Sequence, residues 1–301
     1  MCLIFCSDPL NARQPDPAYL SEIIAAQQAG VSYSLISFEL LVEEQDVMQA
    51  VYRIEPATLQ ETGIYRGWML KPQTYELLYK VLAERNIILI NTPAAYKHCH
   101  YLPESYAVIK DLTPFSVWLK QIDLSMDAVM ATLQPFGDRP VILKDFVKSR
   151  KHEWDEACYI PSASNLQAVE HVVTRFLQLQ GEDLNEGLVF REFVEFEPLT
   201  KHSKSAMPLT KEFRLFFLDG QLILSTPYWE EGDYHGVIPP LDMFCTVAKN
   251  VQSRFFTMDV AKKLDGTWMI VELGDGQVAG LPYNADVNSF YSGLIQSLIQ
   301  A

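Results

Sequence analysis

The chain has 301 residues, of which 49% are hydrophobic and 21% charged, and its formal net charge at pH 7 is −14. This composition is that of a folded globular protein with room for two or three subdomains, and it excludes disorder as the main state. The negative charge disfavours nucleic acids and anionic membranes as partners, because both are polyanions. One compact basic segment, KDFVKSRK at 144–151, suits a nucleotide or another small anion better than a duplex.

The five cysteines are scattered, and no two have the Cys-x-x-Cys spacing of a zinc site. Their odd number and irregular spacing also argue against a disulfide framework. The N-terminal segment has no basic region ahead of its short apolar run, and no stretch approaches the roughly 20 apolar residues of a membrane span. We therefore expect a cytoplasmic protein with reduced thiols and no membrane partner.

Strands and helices alternate over the first hundred residues. Asp16 and Pro17 suit the start of a helix and Gly30 its end, because proline is tolerated in the first turn and glycine adopts the left-handed conformation that often follows the last one. The predicted elements are a strand at 2–6, a helix at 17–29, a strand at 31–38, a helix at 73–84 and a strand at 86–90. This alternation predicts an open α/β sheet. No glycine-rich dinucleotide pattern follows the first strand, so a Rossmann cofactor site is not expected.

The pattern breaks at 97–103, which we interpret as the passage to the next domain. On a strand, His98 and His100 would have the spacing of metal ligands, although two histidines beside a proline are more often ordinary polar loop residues. The elements predicted beyond this point are a strand at 140–146, a helix from 166 capped by Ser164, a strand at 187–196 and a polar loop at 201–208 between two strands. Two Asp-Gly pairs, at 219–220 and 265–266, predict β-hairpins.

The second Asp-Gly hairpin brings two acidic residues together. If Asp265 and Gly266 form a two-residue loop, counting outward along both strands places Asp259 directly opposite Glu272. Opposed side chains share a face, with Cβ atoms roughly 5 Å apart, and two like charges there need a neutralising partner. That partner is a proton, an arginine or a divalent cation such as Mg²⁺, which takes hard oxygen ligands. The alternative is a solvated acidic face.

Cationic side chains suited to phosphate oxygens lie on two other predicted strands. Lys144 ends the run VILK at 141–144, within the strand predicted at 140–146, and Lys151 follows seven positions later. Arg214 shares one face of its strand with Glu212 and can present a rigid donor fork to phosphate. Glu212 is suited to a ribose hydroxyl or simply to pairing with the arginine.

Further candidates have equally plausible structural roles. Arg191 and Glu192 are either edge charges or part of an adenine-binding segment. Arg66 contacts a substrate or is an ordinary interdomain charge. The aromatic and acidic run at 228–231 lines an acceptor pocket or belongs to the core.

Taken in order, the segments between about 140 and 280 resemble the ATP-grasp superfamily. They are most similar to its divergent clade named for one arginine and two lysines, to which a eukaryotic translation-initiation-factor assembly protein also belongs. The matching features are two lysines seven positions apart, a hydrophobic strand ending in arginine, an EFR motif and two acids that flank a hairpin. They correspond here to Lys144 and Lys151, to Arg191, to Glu212 through Arg214, and to Asp259 with Glu272.

The chain departs from this pattern at one position. The family usually has asparagine two residues after its last acidic ligand, where this chain has Gly274. Asp275 or Gln277 is a candidate substitute.

The resemblance implies an N-terminal open α/β domain at 1–104, followed by a two-lobed ATP-grasp fold with lobes at 105–190 and 191–301. ATP and Mg²⁺ would lie between the lobes. Lys151 and Arg214 would act in catalysis, and Asp259, Glu272 and Asp275 would hold the metal ion. The implied ATP-binding residues are Lys144, Lys151, Arg191, Glu192, Phe193, Val194, Glu212 and Arg214.

The reaction implied by the resemblance is the ATP- and Mg-dependent ligation of a carboxylate to an amine or thiol through an acylphosphate. Its substrates would be small molecules or the ends of peptides or proteins, and with an amine the enzyme would form a carbon–nitrogen bond. Such chemistry needs positioned cations and in-line reactants more than a protein nucleophile. The alternative is an ATP-binding protein-assembly factor without ligase chemistry. The sequence does not reveal the acceptor or the oligomeric state.

Overall fold

The computed structural model describes residues 1–201, 203 and 208–300. The first hundred residues form a mainly parallel sheet covered by helices. Strands β3, β1, β4 and β5 lie side by side and parallel, while β2 pairs antiparallel with the end of β1. These elements are β1 (Cys2–Asp8), β2 (Asn11–Pro15), α1 (Leu20–Gln28), β3 (Tyr33–Ile36), α2 (Phe38–Val42), α3 (Val47–Ala50), β4 (Glu61–Arg66), α4 (Pro72–Ala83) and β5 (Ile87–Leu89). The predicted open α/β sheet is confirmed.

Local capping explains where the first helix begins and ends. The Asp16 side chain accepts a hydrogen bond from the Ala18 backbone N–H at 2.8 Å, and Pro17 opens a short 3₁₀ turn that runs into α1. Gly30 follows the helix with a φ of +81°, a conformation that costs glycine little because it has no Cβ. Both predicted ends of this helix are confirmed.

Two helices, α5 (Pro93–His100) and α6 (Leu102–Ile109), lead away from the first sheet. His98 and His100 lie on α5, so the strand considered for them is wrong. The helix forms here because the Thr92 hydroxyl caps the Ala95 N–H and Pro93 occupies the first turn. Both imidazoles are buried, and burial lowers the pKa of His100 to about 4.

The second sheet is antiparallel, with strand order β6-β9-β7-β8. Its elements are β6 (Ser116–Lys120), α7 (Met126–Leu133), β7 (Val141–Asp145), α8 (Trp154–Ala157), β8 (Tyr159–Ile160), α9 (Leu166–Gln180) and β9 (Gly187–Glu192). Helix α9 covers one face and buries the alternate residues of β7 and β9. Its cap is Asn165, which accepts from the Ala168 N–H, so the predicted cap at Ser164 is wrong by one residue.

The third sheet is also antiparallel, with strand order β13-β12-β14-β15. The remaining elements are β10 (Pro198–Lys201), β11 (Pro208–Thr210), β12 (Glu212–Leu218), β13 (Gln221–Pro227), α10 (Leu241–Ala248), β14 (Phe255–Lys262), β15 (Trp268–Asp275) and α11 (Val287–Gln300). The predicted loop at 201–208 joins β10 to β11, and its interior lies outside the described residues except for Ser203. The Asp219-Gly220 turn is a two-residue loop closed by the pair Leu218–Gln221, as predicted.

The third sheet and α11 pack directly on the first sheet. Phe216 and Phe255 from the third sheet and Tyr291 from α11 belong to the same apolar core as the parallel strands. The buried Arg66 guanidinium donates to both Glu22 carboxylate oxygens at 2.9 Å and to the Gly276 carbonyl at 2.6 Å. Arg66 is therefore an interdomain contact, the second of the two roles considered for it.

The first and third sheets fall within the expected domains at 1–104 and 191–301, although α11 packs on the first sheet. The second sheet exceeds the expected domain at 105–190 by two residues, because β9 ends at Glu192. The boundaries themselves stay a prediction. In the part of the chain that the structure describes, we find no helix with the length and apolarity needed to cross a membrane.

Candidate functional site

The hairpin of β14 and β15 places Asp259 directly opposite Glu272, as predicted. The predicted route to this pairing is wrong in detail. The turn is a three-residue loop, because Lys263 N donates to Thr267 O at 2.7 Å and Gly266, with a φ of +86°, follows a tight turn. The resulting one-residue shift is cancelled by an extra residue, Val271, between the pairs that Ile270 and Glu272 make with β14. This extra residue is a β-bulge.

A row of charged side chains crosses three strands of this sheet. Arg214 on β12 is paired with Asp259 on β14, which is paired in turn with Glu272 on β15. The Arg214 guanidinium donates to both Asp259 oxygens, at 2.8 and 2.7 Å, and a further N–H donates to the Gly280 carbonyl at 2.9 Å. Asp259 is buried, whereas the side chain of Glu272 is 50% exposed. The open carboxylate of the row is thus that of Glu272.

The second sheet faces this row and contributes lysines. The Nζ of the buried Lys144 lies 3.4 Å from a Glu272 carboxylate oxygen. Lys151 lies at the end of the basic loop after β7. Its Nζ is 5.5 Å from the centre of the ring of Trp229, which follows β13 of the third sheet. Such a cation–π contact holds an ammonium group near the cleft. The two lysines with seven-residue spacing are therefore brought to the same cleft as the acidic pair.

The surrounding cations set the ionisation of Glu272. Burial alone would raise the pKa of Glu272, but Lys144, Lys151, Arg214 and Arg191 outweigh it and hold that pKa below its usual range. Glu272 is therefore an anion at neutral pH.

Burial acts more strongly on the other acids of the cleft. It raises the pKa of Asp259 in spite of the Arg214 guanidinium beside it. It also raises the pKa of Glu212 to about 7, although Glu212 accepts a hydrogen bond from the Thr210 hydroxyl at 2.6 Å and lies near Lys151. Glu212 is poised to change its charge near neutral pH.

An aromatic cluster lies beside the segment after β9. The rings of Trp154 and Tyr159 are stacked at 5.4 Å, and the Phe193 ring contacts both. Glu192, which ends β9, forms an ion pair with Arg139. Flat aromatic surfaces of this kind suit a purine base. Sequence reasoning selected Glu192, Phe193 and Val194 but missed Trp154 and Tyr159, which follow the basic loop and lack a helical or strand-like period that would single them out.

Two residues expected at the site are engaged elsewhere. Asp275 is buried, and its carboxylate accepts from Asn91 Nδ2 at 2.6 Å and from the Gln277 backbone N–H at 2.9 Å. It lies three positions after Glu272 on a strand whose side chains alternate, so it projects from the opposite face. Gln277 donates to the Tyr75 hydroxyl at 2.7 Å. The expectation that Asp275 or Gln277 supplies the missing metal ligand is therefore wrong for this arrangement.

The Thr257 hydroxyl occupies the space that a side chain at position 274 would need. Gly274 is paired with Thr257, and a Cβ added at Gly274 would come within 2.7 Å of the Thr257 Oγ1. A side chain at this position would have to displace Thr257.

Arg191 also lies outside the open cleft. Its guanidinium donates to the Val271 carbonyl at 2.5 Å, to the Ile270 carbonyl at 3.1 Å and to the Thr113 hydroxyl at 2.6 Å. Its Nε is buried without a partner among the described residues. With its terminal N–H groups used in this way, Arg191 does not have the placement expected of a nucleotide ligand.

The family model that matches is an ATP-grasp domain, family 3 of the clade named for one arginine and two lysines, and it covers residues 135–294. That span is more than half of the chain and includes all three residues of the charged row. The chain belongs to the ATP-grasp superfamily. Its clade is the one predicted from the lysine and arginine motifs. No curated protein sequence matches the chain significantly.

Solved ATP-grasp structures share the fold over nearly the whole chain. The ligase PsnB, complexed with a phosphomimetic variant of a minimal precursor, Mg and ADP, has a TM-score of 0.57 at 16% identity and covers 99% of this chain and 98% of its own. D-cycloserine synthetase DcsG has a TM-score of 0.58 at 14% identity, with 99% and 100% covered. The ATP complex of D-alanine–D-alanine ligase from Bacillus anthracis has a TM-score of 0.55 at 12% identity, with 99% and 95% covered. The predicted two-lobed ATP-grasp fold with a preceding α/β domain is confirmed.

The donor set at the ATP-grasp cleft fits a magnesium ion that arrives together with phosphates. Within the described ranges, no group of three or more His, Cys, Asp or Glu side chains is placed to hold a metal ion by itself. Mg²⁺ usually takes one or two carboxylates and completes its shell with water and phosphate oxygens. Glu272 has exposed oxygens, and each Asp259 oxygen keeps a second lone pair beyond its bond to Arg214. The two carboxylates therefore fit such an ion, with Lys144 and Lys151 nearby for the phosphates.

Proposed function

We propose that this protein is an ATP- and Mg-dependent ligase that joins a carboxylate to an amine or thiol. The observation that carries the proposal is the meeting of two charged sets at one cleft. The row Arg214, Asp259 and Glu272 on the third sheet faces Lys144 and Lys151 from the second. A site that stabilises transferring phosphate needs this combination of fixed cations and hard oxygen ligands.

Each side chain has a role in this proposal. Lys144 and Lys151 bind the phosphates as point charges, and the segment 192–194 with its aromatic neighbours binds the adenine. Glu212 accepts from the ribose hydroxyls. Arg214 supports the transferring phosphoryl group and keeps Asp259 aligned. Bound ATP supplies the phosphoryl group that activates the substrate carboxylate as an acylphosphate, and Mg²⁺ neutralises part of the phosphate charge.

The proposed substrates are defined only by chemical class. One PsnB structure contains a precursor peptide and AMPPNP, whereas DcsG is a synthetase of a small molecule, D-cycloserine. Both kinds of relative have this fold, so we propose a small-molecule or peptide carboxylate and an amine as substrates. The five free cysteines support a reduced, cytoplasmic setting for the reaction.

A second candidate function is an ATP-binding assembly factor without ligase chemistry. One observation favours it. Asp275 is committed to Asn91 and Gly274 carries no side chain, so the cleft has two acidic metal ligands and, among the described residues, no third one beside them. Weak metal binding would allow nucleotide to bind without turnover.

The two candidates differ in ADP release. For the ligase, we expect purified protein with Mg-ATP to release ADP only when a matching carboxylate and amine are added. The product should have the summed mass of the two minus one water. Glu272→Gln should abolish this release, whereas Glu84→Gln, the same change at an exposed position on the first domain, should preserve it. Tight Mg-ATP binding without turnover across a panel of small acids, amines and peptides would favour the assembly factor.

A further inference from the structure

The β-bulge at Val271 decides which way Glu272 faces. Trp268 and Ile270 pack against the apolar core on the far side of the third sheet. Because strand side chains alternate, Glu272 would follow them into that core if the ladder continued without a break. The extra residue Val271 reverses the alternation, so that Leu273 enters the core and Glu272 turns to the cleft.

A bulge leaves backbone groups unpaired, and here those groups lie on an edge strand. β15 is the last strand of its sheet, so no further strand covers the carbonyls of Ile270 and Val271. Arg191 donates to both, at 3.1 and 2.5 Å, and Thr113 donates its hydroxyl to Ile270 at 2.7 Å. The Ile270 N–H in turn donates to the Leu112 carbonyl at 2.7 Å. Residues outside the third sheet therefore make the hydrogen bonds that hold the bulge.

Arg191 occupies this position at an electrostatic cost. It is 8% exposed, its terminal N–H groups bind only neutral oxygens, and burial lowers its pKa to about 10. A buried guanidinium without a bidentate acid partner is unfavourable unless its hydrogen bonds are needed. Its fork can serve two adjacent carbonyls at once, which a lysine ammonium on a flexible stem does less well.

We propose that Arg191 is a positioning residue that holds the bulge at Val271 and thereby keeps Glu272 opposite Asp259 in the cleft. It acts on the metal through Glu272 and does not contact the nucleotide. The part of this inference that concerns metal binding by Glu272 rests on the proposed function. The part that concerns the hold of Arg191 on the bulge rests on the geometry alone.

The test separates metal binding from nucleotide binding. Mn²⁺ affinity is measured by electron paramagnetic resonance with saturating AMPPNP, and AMPPNP affinity is measured by calorimetry in EDTA. For Arg191→Met we expect the Mn²⁺ affinity to fall by about tenfold or more, as for other residues that orient metal ligands. The AMPPNP affinity in EDTA should stay within about twofold of wild type. Arg175→Met, at an exposed site on α9, is the matched control and should change neither.

A double-mutant cycle tests whether Arg191 acts through Glu272. If it does, Arg191→Met combined with Glu272→Gln should bind Mn²⁺ no more weakly than Glu272→Gln alone. Additive losses would overturn the proposal, as would a tenfold loss of AMPPNP affinity in EDTA. A lower melting temperature with unchanged Mn²⁺ affinity would also overturn it, since that is the result of a merely structural role.

Hydrogen exchange of the nucleotide-free protein covers the case in which the Arg191→Met variant does not fold. Arg191→Lys keeps the charge, and we expect faster exchange at the amides of 270–272 than in wild type. Unchanged exchange there would overturn the proposed hold on the bulge. Wild-type protein that binds no metal–nucleotide complex would refute the proposed function instead, and the exchange result would still show whether Arg191 holds the bulge.

Discussion

Replacing Glu212 with glutamine should stabilise the protein at pH 8 and leave its stability at pH 4.5 almost unchanged. Burial, with smaller repulsion from Asp259 and Glu272, raises the pKa of Glu212 from 4.5 to about 7. The folded protein therefore holds this proton in a pH range where the unfolded chain has released it. Stability consequently falls as the pH rises from 4.5 through 7, and the loss is complete above 7. The pKa difference corresponds to about 3 kcal/mol, an upper value because Glu212 is not fully buried.

Urea denaturation of the nucleotide-free protein between pH 4.5 and pH 8 measures this loss. The free energy of unfolding of wild type minus that of Glu212→Gln should become more negative across the range, by up to about 3 kcal/mol. Asp275 also titrates in this window, since burial raises its pKa to about 6, so the difference between variants matters and not the wild-type curve alone. Glu230→Gln, at an exposed position, controls for the loss of one negative charge. A difference for Glu212→Gln that stays constant with pH would refute the reasoning.

Two further predictions concern the charged row and the adjacent cross-strand pair of Thr257 and Gly274. Arg214→Met should lower the free energy of unfolding by about 3–5 kcal/mol, because it leaves the buried Asp259 without its partner, whereas Arg214→Met with Asp259→Asn should cost much less. Equal losses in urea denaturation would contradict the pairing. Gly274→Ala should cost about 1–3 kcal/mol, because its Cβ would come within 2.7 Å of the Thr257 Oγ1. Thr257→Ala should relieve most of that cost in the double variant, and additive costs would show that the hydroxyl is not the obstacle.

The parts of the fold that could be predicted from the sequence depend on short local signals. Asp16, Pro17 and Gly30 mark the first helix by capping chemistry alone. Strand β4 was missed because its sequence, ETGIYR, begins with polar residues and a glycine, and only pairing with β1 and β5 makes it a strand. Tertiary pairing decides such segments, and a single sequence does not display it.

The candidate site likewise contains residues that local sequence spacing predicts and residues whose roles depend on distant contacts. Lys144, Asp259 and Glu272 were found because each is tied to a strand end or a hairpin by sequence spacing. The position of Asp275 was predicted wrongly because its partner Asn91 is 184 residues away in sequence. The environment of Arg191 is equally non-local, since its carbonyl acceptors lie about 80 positions further along the chain. Roles that depend on such contacts follow from the structure alone.

The pairing of Asp259 with Glu272 was predicted correctly through two errors that cancel. A three-residue loop replaces the expected two-residue one and shifts the ladder by one position, and the bulge at Val271 shifts it back. With the longer loop alone, Asp259 would face Val271, and Glu272 would lie on the core side of its strand. With the bulge alone, Asp259 would face Leu273. Loop length and bulge are therefore coupled. Only the two together place the carboxylates of Asp259 and Glu272 opposite each other. Of the two, the bulge leaves backbone carbonyls at a sheet edge, and these are the groups to which Arg191 donates.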